Sequence, residues 1–157
     1  MAKAARKIPE GHNTVSPYLI VDGAARALDF YKRAFGATEK FRMDAPGGKI
    51  GHAEMTIGDT VIMLADEHPD HDAHAPAHFN GSPISLHIYV EDVDKVAQQA
   101  IAAGAKVKRP EQDMFYGDLI GTFEDPFGHT WHVSTHLEDL TPEEIGRRAA
   151  AEMGKKG

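Results

Sequence analysis

Hydrophobic and polar positions follow two different periods along the first part of the chain. Residues 15–21 are rich in β-favouring side chains, and residues 24–35 place apolar residues on one stripe of an amphipathic helix. Three further β-rich segments follow at residues 38–43, 49–57 and 60–65, separated by glycine-containing turns. The pattern therefore predicts the order β-α-β-β-β.

The same order begins again at residue 84. The segment Ile84-Ser-Leu-His-Ile-Tyr-Val90 matches Val15-Ser-Pro-Tyr-Leu-Ile-Val21 in polarity, position by position. A second helix is predicted at residues 93–103, and strands are predicted at residues 106–109, 119–124 and 129–135. A repeat of about 69 residues indicates an internal duplication.

These elements divide the chain into five segments. We expect a mobile N-terminal arm at residues 1–13, a first βαβββ module at 14–66, a connector loop at 67–83, a second βαβββ module at 84–136, and a C-terminal helix and tail at 137–157. Thr141, Pro142 and Glu144 form the capping box of that last helix. The connector contains four histidines, but its prolines break a helix, so we expect a solvated loop and no second metal site there.

Composition excludes several classes of function. A net charge of −7 and a pI near 5.8 argue against nucleic-acid and membrane-surface partners, which require clustered positive charge. The chain contains no cysteine, so disulfides, thiolate nucleophiles and zinc-thiolate sites are excluded. The N-terminus lacks the apolar region of a signal peptide and no run is long enough to span a membrane, so we expect a cytoplasmic protein.

Several short motifs extend this description. They are Pro17-Tyr-Leu, Asp29-Phe-Tyr-Lys-Arg-Ala-Phe-Gly, His52-Ala-Glu-Met, Tyr116-Gly-Asp and the hairpin Asp125-Pro-Phe-Gly-His. Together with the duplication, they resemble the vicinal oxygen chelate superfamily of glyoxalases, bleomycin-resistance proteins and extradiol dioxygenases, and within it the PhnB-like branch. The resemblance implies an α+β fold of two cupped mixed sheets, with the site inside the cup. It also implies a homodimer, and it leaves open whether the two subunits exchange modules.

The resemblance also implies where metal ligands would lie. In metal-using members the four ligand positions correspond to Ser16, Glu54, Ser85 and His132 of this sequence. Serine hydroxyls are weak ligands for a divalent ion, so only two of the four positions, Glu54 and His132, carry a good metal ligand in this sequence.

Strand alternation places further side chains on the same faces as those four positions. His87 lies two residues from Ser85, and His52 lies two residues from Glu54. A rearranged site of Glu54, His87 and His132, together with His52, would suit Zn, Fe, Ni or Mn. The alternative is a polar pocket without a metal, in which the histidines are neutral and hydrogen-bonded.

Acid–base chemistry is possible without a metal. We predict Glu54 and His132 as the catalytic pair, with the pKa of Glu54 raised by desolvation in a partly apolar cup. The predicted substrate-binding side chains are Tyr18, Ser16, Ser85, Tyr89, Tyr116 and Trp131.

Two main hypotheses for the function follow, from different classes. The first is a glyoxalase-like enzyme, a lyase or isomerase or a dioxygenase, that acts on a small anionic or oxygen-bearing metabolite by metal or acid–base chemistry. The second is a non-catalytic protein that binds an aromatic or antibiotic-like molecule without a metal, using Tyr18, Tyr89 and Trp131. A third hypothesis is an interaction role for the C-terminal helix, in which Ile145 and Met153 contact a partner subunit.

Overall fold

A computed structural model describes residues 2–155, which divide into two compact units, one ending at residue 81 and one beginning at residue 82. The first unit contains β1 (Tyr18–Val21), α1 (Ala24–Phe35), β2 (Thr38–Ala45), β3 (Lys49–Ile57) and β4 (Thr60–Asp66). The second contains β5 (Ser85–Tyr89), α2 (Val93–Ala103), β6 (Lys106–Asp113), β7 (Asp118–Glu124), β8 (Thr130–His136) and α3 (Pro142–Lys155). The predicted pair of βαβββ modules with a C-terminal helix is confirmed.

The two sheets share one topology. Strand order is β1-β4-β3-β2 in the first unit and β5-β8-β7-β6 in the second. In each sheet the first strand runs parallel to the last, and the remaining pairs are antiparallel. The shared order is what a duplication of one module produces. None of the described helices is long and apolar enough to cross a membrane.

Each sheet buries one face and leaves the other accessible. In the first unit Ala53 pairs with Leu64, and both are fully buried on the side that α1 covers. Glu54 pairs with Met63, which also pairs with Tyr18, and these side chains point the opposite way because strand side chains alternate. We call the side opposite the helix the open face of the unit.

The second unit follows the same rule. Trp131 pairs with Phe123, and both are 2% exposed beneath α2. His132 pairs with Thr122 on one side and with His87 on the other, and this row lies on the open face.

A single carboxylate fastens the helix of the first unit to its sheet. Oδ1 of Asp66, at the end of β4, accepts hydrogen bonds from the backbone N–H groups of Gly23 and Ala24 at 2.8 and 2.9 Å. Its Oδ2 accepts from the N–H of Ile50 at 2.8 Å. The first backbone donors of a helix have no partner within the helix, so Asp66 satisfies two of them and ties α1 to β3 and β4.

A hydroxyl has the same role in the second unit. Oγ1 of Thr135, in β8, accepts from the N–H of Val93 at the start of α2, at 2.9 Å. The side chain of Asp92 caps the same helix by accepting from the N–H of Lys95 at 3.1 Å.

Two strand boundaries differ from the prediction by three residues or more, and the others by at most two. β1 begins at Tyr18, three residues later than expected, after Pro17, which has no N–H to donate to a sheet. β6 continues to Asp113, although Pro110 suggested a loop from that residue onward. The strand tolerates this proline because β6 lies at the sheet edge, and its register with β7 shifts between Arg109 and Gln112.

Thr141 caps the C-terminal helix as predicted, whereas the carboxylate of Glu144, the second half of the predicted capping box, pairs with Arg147 and Arg148 instead. Oγ1 of Thr141 accepts from the N–H of Glu144 at 3.1 Å. Arg148 forms ion pairs with Glu138 and Glu144 and donates to the carbonyl oxygen of Phe115. These bonds hold α3 against the segment between β6 and β7.

The hairpin between β7 and β8 is organised by a buried carboxylate. Asp125 is 4% exposed, and its Oδ1 accepts from the backbone N–H groups of Phe127 and His129 at 2.9 and 3.0 Å. Its Oδ2 accepts from Nε1 of Trp131 at 2.9 Å. The turn is thereby locked to the core of the second unit.

We predict that Asp125→Ala lowers the free energy of unfolding of the second unit by roughly 2–4 kcal/mol, because three buried donors lose their acceptor. Urea denaturation followed by the fluorescence of Trp131, the single tryptophan, measures this loss. Asp29→Ala is the control, because Asp29 is exposed and its ion pair with Arg33 contributes less than about 1 kcal/mol. A loss no larger than that of the control would contradict the structural role of Asp125.

Candidate functional site

The open face of the first unit carries a carboxylate between two imidazoles. Oε2 of Glu54 lies 2.9 Å from Nε2 of His52, and Oε1 lies 2.9 Å from Nε2 of His12. The side chain of Glu54 is 17% exposed. Both carboxylate oxygens are therefore engaged, one by a neighbour on β3 and one by a residue of the N-terminal segment.

These hydrogen bonds reverse the predicted pKa shift of Glu54. The bond with His52 lowers the pKa of the Glu54 carboxyl below its ordinary value, burial opposes that effect, and the bond and charge of His12 reinforce it. The prediction of a raised pKa was wrong, because hydrogen bonding to the ionised form outweighs desolvation. Glu54 is ionised at neutral pH and is unsuited to act as a general acid there.

Tyr18 extends this chain of hydrogen bonds. Its hydroxyl lies 2.8 Å from Nδ1 of His52. Burial, and then the charge of Glu54, raise the pKa of Tyr18, so the phenol stays protonated and donates to Nδ1 while Nε2 of His52 donates to Glu54. The rings of Tyr18 and Phe41 lie 5.5 and 6.3 Å from the His52 ring, so aromatic surface surrounds this histidine.

The open face of the second unit pairs imidazoles with hydroxyls. Nδ1 of His132 lies 2.9 Å from Oγ1 of Thr122, and Nε2 lies 3.1 Å from Oγ of Ser85. Nε2 of His87 lies 2.8 Å from Oγ of Ser134, and the two imidazole rings are 5.9 Å apart. A hydroxyl can donate or accept, so each pair suits a neutral imidazole.

The environment of His132 favours its neutral form. Burial lowers the pKa of His132 most, and the nearby His87 and Arg109 lower it further. His132 therefore carries no charge at neutral pH and can accept a proton.

These side chains line a cavity of about 300 Å³ on the open face of the second unit. Its polar lining residues are His87, Arg109, Gln112, Tyr116, Thr122 and His132. Within residues 2–155, no carboxylate lines this cavity, and the guanidinium of Arg109 forms no ion pair or hydrogen bond.

The predicted metal ligands do not form a metal centre within either unit. Glu54 and His52 belong to the first unit, whereas His87 and His132 belong to the second. In the first unit the nitrogens of His12 and His52 point at the carboxylate of Glu54 and not at a common point beside it. Across the described chain, no group of three or more His, Asp or Glu side chains is arranged to hold a metal ion.

The other predicted contact residues occupy different environments. Tyr89 is 64% exposed, with its ring 4.8 Å from that of His87, and Tyr116 lines the cavity. Ser16 is half-buried just before β1. Trp131 is buried and lies on the helix side of its sheet, so its position indicates a structural role.

His12 and Arg109 are among the residues of these faces that were missed from the sequence. His12 lies in a segment without periodicity, and nothing local signals its contact with a residue 42 positions away. Arg109 could have been found, because it pairs with Thr122 across the sheet and strand alternation places both on the open face.

Comparison with known proteins agrees with this fold. Residues 12–133 match the family model of the Glyoxalase/Bleomycin resistance protein/Dioxygenase superfamily. The protein belongs to this superfamily. A protein of Mycobacterium bovis is 39% identical over 134 residues, which cover 83% of this chain and 88% of the relative.

Two solved structures of the superfamily fold show the same architecture. TioX from Micromonospora superposes with a TM-score of 0.61 at 25% identity and covers 82% of this chain and all of TioX. The PhnB protein of Bacillus cereus superposes with a TM-score of 0.60 at 21% identity, over 78% of this chain and 99% of that protein. The likeness to PhnB, at this identity, shows a shared fold only.

We predict that the pKa of Glu54 lies below its ordinary value, because His52 and His12 bind its ionised form, and that this pKa rises in His52→Ala and, by a smaller amount, in His12→Ala. Because the folded-state pKa is lowered, the stability contributed by this carboxylate is present above its unfolded pKa and is lost as the pH falls through the folded value. Carboxyl-carbon NMR titration measures both shifts. His74→Ala is the control. If the titration midpoint of Glu54 is unchanged in both His52→Ala and His12→Ala, the hydrogen-bond network is contradicted.

Proposed function

We propose that the protein binds a small oxygen-bearing anion on the open face of its second unit and exchanges a proton with it through His132. The observation that carries this proposal is the lining of the cavity, which combines Arg109, His87 and His132 without a carboxylate. The chain as a whole is acidic, with a net charge of −7, so this grouping of Arg109, His87 and His132 without a carboxylate is a local feature of the cavity.

Arg109 binds the anionic group in this proposal. A guanidinium forms two parallel charge-assisted hydrogen bonds with a carboxylate or a phosphate, and these are stronger than hydrogen bonds between neutral groups. The guanidinium has no competing partner among the described residues, so binding does not require an existing ion pair to break.

His132 serves as the proton acceptor. Thr122 and Ser85 hold its ring at both nitrogens, which orients it without adding a negative charge. An anion beside Arg109 offsets the charges that lower the pKa of His132 and so favours the imidazolium that forms when the ring accepts a proton. Glu54, the other predicted catalytic residue, instead holds His12 and His52 on the first unit.

A second candidate function is the binding of an aromatic molecule without chemistry. The observation that favours it is the aromatic surface of the first unit, where Tyr18 and Phe41 flank His52 and are about half exposed. Planar rings pack well against such surfaces. Superfamily membership is compatible with both candidates, because one fold hosts many functions.

We also propose that the protein works as a homodimer, as the superfamily resemblance implies, and that it is located in the cytoplasm. Sedimentation velocity at micromolar concentration distinguishes a dimer from a monomer.

The proposal predicts that inorganic phosphate binds near Arg109 and raises the pKa of His132. Binding should weaken by roughly tenfold in Arg109→Gln, because one charge-assisted interaction is lost. Imidazole NMR titration with and without saturating phosphate measures both effects.

Arg33→Gln is the matched control, because it removes an exposed arginine of the first unit that is paired only with Asp29. Its phosphate affinity should equal that of the parent protein. An unchanged titration of His132 at saturating phosphate would overturn the proposal.

Metal dependence can be tested on the same protein. We expect that tag-free protein treated with EDTA and dialysed binds phosphate as tightly as untreated protein, because residues 2–155 gather no metal-ligand set in either unit. The metal hypothesis, with Glu54, His52, His87 and His132 as ligands to Zn, Fe, Ni or Mn, predicts a stoichiometric ion that is lost in Glu54→Ala and His132→Ala. Elemental analysis of the parent protein, Glu54→Ala and His132→Ala decides between metal-independent binding and the metal hypothesis.

A further inference from the structure

A second cavity, of about 260 Å³, lies in the first unit, beside the ends of β1 and β4. One side of it is formed by the connector segment, in which two short 3₁₀ helices, Pro69–His71 and Pro76–Phe79, begin at prolines. The sequence predicted a loop without helix here. None of the residues that line this cavity belongs to the second unit, so it is separate from the proposed anion site.

Hydrogen bonds close this part of the connector on itself. Oε1 of Glu67 accepts from the N–H of Ala75 at 2.7 Å. His68 and Ala73 exchange two backbone hydrogen bonds at 2.9 and 3.2 Å, and the N–H of His71 donates to the carbonyl of His68 at 2.9 Å. The cavity wall is therefore a defined structure with its backbone groups paired.

Two stacked imidazoles form part of that wall. The rings of His68 and His71 are 4.0 Å apart and 11° from parallel, and both line the cavity. Within residues 2–155, their ring nitrogens form no hydrogen bond, so they are available to a ligand. A second pair, His74 and His78, is stacked at 3.8 Å but does not line the cavity.

The floor of the cavity is apolar and its polar groups are few. Ile20, Ile50 and Ala65 contribute aliphatic surface. The ammonium of Lys49 forms no ion pair or hydrogen bond with the described residues, and neither does Oε2 of Glu67. Besides the two imidazoles, the cavity thus offers one cationic donor group and one anionic acceptor group.

Asp66 is the remaining charged group at the cavity. Both of its carboxylate oxygens are occupied by three backbone N–H groups, so it contributes no free acceptor. These backbone donors at the start of α1 and in β3 stabilise the charge of Asp66, and Lys49 and Glu67 are opposed in sign, so the cavity favours neither a strong cation nor a strong anion.

We infer that this cavity binds a planar, uncharged heteroaromatic molecule of about the size of a nucleobase. The ligand ring lies against the His68–His71 stack and the aliphatic floor, where flat aromatic surface is favoured. Its acceptor atoms face Lys49, and its donor groups face Glu67. Stacking against the imidazoles selects a flat ring. The opposite charges of Lys49 and Glu67 select a ring that both accepts and donates hydrogen bonds.

Adenine is the probe for this site, and protein-observed amide NMR on the full chain is the measurement. We expect adenine to shift the amide signals of residues 49–51, 67–68 and 70–73, with affinity reduced roughly fivefold in His71→Ala through the loss of ring contact. Lys49→Gln and Glu67→Gln should each weaken adenine binding. Glutamine at position 67 keeps an oxygen for the N–H of Ala75, so the loop remains closed in that variant.

His78→Ala is the matched control, because it removes a stacked imidazole from the same connector without touching the cavity. Its adenine affinity should be unchanged. Cyclohexanecarboxamide tests planarity and benzoate tests charge, and both should bind more weakly than adenine.

Three outcomes would overturn the inference. They are no shift with millimolar adenine, an equal effect of His78→Ala and His71→Ala, or shifts centred on His87 and His132. The phosphate titration at the second unit is independent of this result, because His71→Ala removes no residue that lines that cavity.

Discussion

The carboxylate of Asp66 is the contact on which the layout of the first unit depends. It joins the start of α1 to β3 and β4 through three backbone donors, so the helix is held against one face of the sheet. Thr135, which lies 69 positions later, holds α2 to its sheet through Val93. Because one face of each sheet is committed to the core in this way, the polar side chains of the other face are left to meet a ligand.

The two open faces have diverged in chemistry while keeping the same framework. In the first unit Glu54 stands opposite Met63, and in the second Thr122 stands opposite His132. The carboxylate gathers two imidazoles and is held ionised by them, whereas the hydroxyl holds an imidazole that stays neutral. One duplicated scaffold therefore presents an acidic and aromatic surface in one module and a surface of hydrogen-bond donors in the other.

Predictions from the local sequence succeeded where strand alternation alone decides which face of the sheet a side chain occupies. Alternation placed Glu54 with His52, and His132 with His87, on shared faces. Such predictions failed where a residue far away in the sequence contributes a contact. The raised pKa expected for Glu54 was wrong because His52 and His12 both bind the carboxylate, and no pattern near residue 12 indicates that contact.

The sequence by itself determined the order of the elements, the duplication, the Thr141 cap of the last helix and the superfamily, because these follow from local periodicity and short motifs. Only the tertiary structure decided that His12 reaches Glu54 and that the connector histidines stack in pairs. These contacts depend on the path of loops and on sheet register, which arise from the packing of the whole unit and leave no local periodic signal.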